Sequence, residues 1–87
     1  MKTPLKGKAR SFHRAIEAAV ARAQETGEHQ WIAFPRGASG AFAEAWARYA
    51  AERPVPAWLR GCAWFSDGVR VEVLDSYRAE LAARGAR

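Results

Sequence analysis

Three side chains in this sequence stand out as chemical candidates. His13 and His29, the only imidazoles, could serve as base or metal ligand, and Cys62, the only thiol, as a nucleophile. Nothing in their arrangement matches a nucleophile–His–acid triad or a zinc-ligand spacing. A single cysteine also excludes an internal disulfide and any cysteine-built metal cage. His13 falls near a helix start and His29 at a strand start, and no acid is placed to orient either ring. The expectation is a protein without a catalytic residue, metal or cofactor. A small ribonuclease-like toxin using His13 or His29 is the enzymatic alternative.

A second chemical candidate is PRGASG, residues 35–40, between a strand and a helix. Backbone N–H groups at a helix start can hold a phosphate, and Arg36 would add charge. The stretch lacks the GK[ST] ending of a P-loop and the spacing of a dinucleotide fingerprint. The competing role is structural, with Gly37 and Gly40 turning the chain and Ser39 capping the next helix.

The third candidate is CAWFSDGVRVEV, residues 62–73. Asp67-Gly68 is a preferred two-residue hairpin turn. That turn sets Ser66 against Val69, Trp64 against Val71 and Cys62 against Val73 on one face, leaving Phe65 beside Arg70 on the other. A three-residue turn would shift the pairing by one and exchange the faces, bringing Phe65 inside and Trp64 next to Arg70. In both cases one large ring lies beside Arg70 on the face away from the valines. If a terminal segment does not cover that face, the ring and the guanidinium suit a protein hot spot or base stacking. The expected partner-binding residues are Trp64, Phe65, Arg70 and Arg36.

Charge narrows the choice of partner. The net charge is +5, which invites a nucleic-acid reading. Residues 1–10 hold Lys2, Lys6, Lys8 and Arg10 with no acid, whereas residues 11–87 hold ten basic and nine acidic side chains. The excess therefore belongs to a basic arm on a nearly neutral body. Four phosphate contacts would give a salt slope of only about −3 to −4, a weak nonspecific binder. These features predict a non-enzymatic binding module for a protein or ribonucleoprotein. A phage or plasmid inhibitor or accessory protein, acting in the manner of anti-CRISPR proteins, fits that size and composition. The alternative is direct nucleic-acid binding through Lys2, Lys6, Lys8, Arg10, Arg36 and the aromatic sheet face.

The elements that must position these residues follow from periodicity. Phe12, Ile16, Ala19, Val20 and Ala23 predict a helix over about 12–26, capped by Ser11 and stopped by Gly27. HQWIAF, residues 29–34, reads as a strand. Phe42, Trp46 and Tyr49 predict a helix over about 40–53, ended by Pro54. PVPAWLRG is a stiff connector with Trp58 and Leu59 turned inward. The hairpin follows, then a helix over about 76–85 capped by Asp75 or Ser76, with Tyr77 and Leu81 on its apolar edge.

The sum is a 1–10 flexible basic arm and a single α+β domain over 11–87, in the order α-β-α-β-β-α, with helices mainly on one face of a three-stranded sheet. A winged-helix-like arrangement is the alternative, and it would require a recognition helix in PVPAWLRG. Hydrophobic residues make up 49% of the chain, but 20 of them are Ala and only 11 are Val, Ile or Leu, against 10 aromatics. The core must lean on rings, which bury about 150–250 Å² each. No apolar run reaches the roughly 20 residues of a membrane span, so a cytoplasmic protein with no membrane contact is expected.

Overall fold

The computed structural model describes residues 5, 7–35 and 37–85. The order is α1 (Gly7–Thr26), β1 (Gln30–Ala33), α2 (Ser39–Glu52), β2 (Leu59–Phe65), β3 (Gly68–Val73) and α3 (Asp75–Gly85). It is the expected small α+β domain.

α1 begins at Gly7, not after Ser11, so Lys8 and Arg10 are helical instead of belonging to a flexible arm. The cause is Ala9. It is buried and extends the stripe of Phe12, Ile16, Ala19, Val20 and Ala23 by one turn, and burying an apolar face outweighs a favourable cap at Ser11. Lys2 and Lys6 lie outside the described residues. Gly27 ends the helix with φ +73°, its N–H donating to the Ala23 carbonyl at 2.8 Å, which is a left-handed termination suited to glycine.

α2 starts one residue early. Ala38 occupies the cap position without a side-chain bond, and Ser39 is already helical, so Ser39 is not the cap. Phe42 and Tyr49 are buried and Trp46 stacks on Tyr49 at 5.7 Å. The chain leaves α2 at Arg53 with extended backbone, as the residue before Pro54 must. The connector forms no recognition helix and runs directly into β2, which removes the winged-helix alternative.

The strands form one antiparallel sheet in the order β1-β3-β2. Its inner face meets α1 and α2 in a core of Phe12, Ile16, Val20, Ile32, Phe34, Phe42, Tyr49, Leu59, Val69 and Val71. Rings dominate it, as the composition requires. Phe12, Phe34 and Phe42 meet pairwise at 5.6–5.9 Å. α3 buries no residue fully. It docks through Tyr77, whose ring stacks on Trp58 at 5.2 Å and whose hydroxyl donates to the Gln24 carbonyl at 2.6 Å. Leu81 adds a contact, lying within 2.8 Å of where a Cβ on Gly27 would project. Through its thinnest axis the Cα trace measures 17 Å, enough for a sheet and one helix layer about 10 Å away but not for a third layer.

The hairpin register differs from both expected alternatives. Phe65 pairs with Gly68, Trp64 with Val69, Ala63 with Arg70 and Cys62 with Val71. The two-residue turn is therefore Ser66-Asp67, and Gly68 is a strand residue with no positive φ. β2 has slid by two residues relative to the Asp67-Gly68 turn. An even shift keeps each side chain on its face, so Trp64 and Cys62 stay with the valines and Phe65 stays opposite. A bulge follows at Arg60, between the Leu59–Val73 and Gly61–Glu72 pairs. Without that extra residue Leu59 would share the outer face with Gly61, and with it Leu59 enters the core.

Candidate functional site

Among the described residues no helix lies on the outer face of the sheet. β3 presents Gly68, Arg70 and Glu72 there, β1 presents Trp31 and Ala33, and β2 presents Gly61, Ala63 and Phe65. Trp31 is 49% exposed and Phe65 43%. These two rings sit on opposite edge strands yet meet at 5.6 Å between centroids. Gly68, on the central strand between them, allows this, because a Cβ there would run into the Trp31 ring and lie 2.6 Å from the Ile32 carbonyl oxygen. A strand glycine marks close approach by another group, and here the group is the indole.

Arg70 is held on the same face from two sides. Its Nε donates to Glu72 Oε2 at 2.9 Å and its Nη2 lies 2.7 Å from the same oxygen. Its guanidinium carbon lies 5.3 Å from the Phe65 ring centre, inside cation–π range. The Arg70 hydrogen bond, together with the charges of Arg70 and Arg60, holds the Glu72 carboxyl below its ordinary range. Arg60 approaches the other Glu72 oxygen at 3.9 Å. The result is a fixed ring, guanidinium and carboxylate on a rigid sheet, with a second indole alongside.

The anticipated residues are divided by this arrangement. Phe65 and Arg70 share the outer face. Trp64 lies on the inner face at the sheet's end, its ring meeting Phe42 edge-on at 5.1 Å while remaining 47% exposed. Arg36 lies outside the described residues. Trp31 was not among the anticipated site residues. Its signal was the alternation within HQWIAF, where an inward Ile32 forces Trp31 outward, but its neighbours needed the β1–β3 register.

The candidate catalytic groups are otherwise occupied. His13 Nε2 lies 2.9 Å from Glu52 Oε1 and Nδ1 lies 3.7 Å from Glu17 Oε1. Contrary to the expectation that no acid orients this ring, Glu17 one turn on along α1 and Glu52, 39 positions away on α2, both face it. Both ring nitrogens face carboxylates, so the imidazole ties α1 to α2. His29 Nδ1 accepts the Val73 N–H at 3.0 Å, a bond that completes the backbone pairing beyond β1. Burial first and the Glu72 charge second push the Cys62 thiol up to about 12, which disfavours the thiolate a nucleophile needs. Among the described residues no group of three or more His, Cys, Asp and Glu could hold a metal ion, and no helix is long and apolar enough to cross a membrane. No protein-family model matches the chain, and no curated protein and no solved structure matches it either.

Proposed function

We propose that this chain is a non-enzymatic binding module that docks on a protein, alone or within a ribonucleoprotein, through the outer face of its sheet. The observation that carries the reading is the exposed cluster of Trp31, Phe65 and Arg70, with Arg70 already fixed by Glu72 and the Phe65 ring. Trp and Arg are enriched among residues that dominate interface energy, and a side chain ordered before contact loses less entropy on binding. Glu72 offsets much of the local positive charge, which favours a protein surface over a phosphate chain as the partner of this face. The small size and the aromatic-rich composition suit an inhibitor or accessory protein, including one of a phage or plasmid that blocks a host defence complex.

The test is affinity capture from the source cell with and without nuclease, comparing the native chain with Trp31→Ala/Phe65→Ala/Arg70→Ala. Nuclease-resistant capture that falls by at least roughly 30-fold in the folded variant, equivalent to about 2 kcal/mol, is expected for loss of a hot spot. Equal capture by the folded variant refutes the assignment.

A further inference from the structure

The net charge of the molecule has an address. Residues 1–16 contain Lys2, Lys6, Lys8, Arg10 and Arg14 and no acid, while residues 17–87 contain nine basic and nine acidic side chains. The whole +5 therefore resides in the first sixteen residues. The structure takes the last three of these cations into the opening turns of α1. Arg10 and Arg14, four apart, share one side of the helix and line a cleft of about 460 Å³ with Leu5, His13, Glu17, Arg48 and Glu52. Among the described residues nothing pairs with Lys8, Arg10 or Arg14, whereas Glu17 is engaged by Arg53 at 3.0 Å and Glu52 by His13 at 2.9 Å. The acids beside the cleft are thus committed to holding α1 against α2.

Locally this arrangement is unfavourable. Lys8 and Arg10 stand in the first turn of a helix whose N-terminus is already the positive end of its dipole, and that turn contains no acid. Arg10 and Arg14 repel each other one turn apart. A polyanion laid across the turn would relieve both penalties. Among the described residues none of the large exposed hydrophobic side chains, Trp31, Val55, Trp64 and Phe65, belongs to the cleft, which favours a phosphate chain over a lipid surface.

We infer that the N-terminal turns of α1, with Arg10 and Arg14 lining the α1–α2 cleft and Lys8 in the same opening turn, form a docking surface for the phosphate backbone of nucleic acid, separate from the aromatic face of the sheet. Recognition is by charge and carries no base sequence. The two surfaces together fit a partner that has both protein and nucleic acid. The inference stands on charge placement and does not depend on the reading of the sheet face.

The test is fluorescence anisotropy of a short labelled DNA duplex of arbitrary sequence with the full chain, over roughly 50–300 mM salt. If all five cations meet phosphates, log K falls with log salt at a slope of about −4.5, and Arg10→Gln/Arg14→Gln makes it shallower by about 2. Arg78→Gln/Arg84→Gln removes equal charge from α3 and leaves the slope unchanged. Trp31→Ala/Phe65→Ala/Arg70→Ala also leaves it unchanged, which separates this surface from the sheet face. Circular dichroism verifies that each variant is folded. The inference is overturned by absence of duplex binding, by equal effects of the two double-arginine variants, by loss of binding in the aromatic variant, or by tighter capture on phosphatidylserine vesicles than on the duplex.

Discussion

Replacing Gly68 by alanine tests the geometry on which the outer face depends. The added methyl group would collide with the Trp31 ring and stand 2.6 Å from the Ile32 carbonyl oxygen. The indole can swing away, but the carbonyl belongs to β1 and moves only if the strand moves. Overpacking of this kind costs about 1–3 kcal/mol, a sizeable share of the roughly 4–13 kcal/mol expected for a chain of this length. At about 4–8 °C per kcal/mol, a cost near 2 kcal/mol lowers the melting temperature by roughly 8–16 °C. Thermal unfolding followed by far-ultraviolet circular dichroism measures it. The Trp31→Ala background separates the two collisions. There Gly68→Ala should cost less, with a coupling of about 0.5–3 kcal/mol from the ring, and the remainder should come from the carbonyl. An unchanged melting temperature for Gly68→Ala alone would refute the packing of Trp31 over β3, and with it the shape assigned to the site.

Two further outcomes follow from the titrating groups. Cys62, raised from 9.0 to about 12, should react with Ellman's reagent at pH 8 about one to two orders of magnitude more slowly in the folded protein than in urea, because the smaller thiolate fraction is only partly offset by the greater nucleophilicity of a high-pKa thiolate. Equal rates would show that the thiol is not shielded. Glu72 is held below its ordinary range chiefly by the Arg70 hydrogen bond, so its contribution to stability is present above the unfolded carboxyl value and is lost as pH falls through the lower folded one. Glu72→Gln should therefore flatten the fall in melting temperature on the acid side, and an acid limb identical to that of the native chain would count against this pairing.

The chain order of helices and strands was legible because each element writes its own period. Phe12 through Ala23 repeat at helical spacing, and Cys62, Trp64, Val69 and Val71 alternate as a strand must. Alternation set Arg70 opposite the valines and left either Phe65 or Trp64 as its neighbour, and the observed register, an even slip from the Asp67-Gly68 turn, selects Phe65. Local rules failed where a distant element made the competing contact. The Asp-Gly preference for a turn gave way because Gly68 is needed beneath Trp31, which arrives from β1. Ser11 and Ser39 looked like caps, but buried Ala9 extends α1 past the first, and α2 starts on uncapped Ala38 before the second.

The sequence by itself determined which residues share a face of one element, and where the net charge sits along the chain. Only the tertiary structure decided what those faces meet: Trp31 beside Phe65 across Gly68, Glu52 against His13, and Arg10 and Arg14 at the mouth of a cleft between two helices. The physical reason is range. Backbone geometry imposes its period over a few residues, whereas neighbours from different elements are set by how the apolar faces close on one another, and no local pattern encodes that closure.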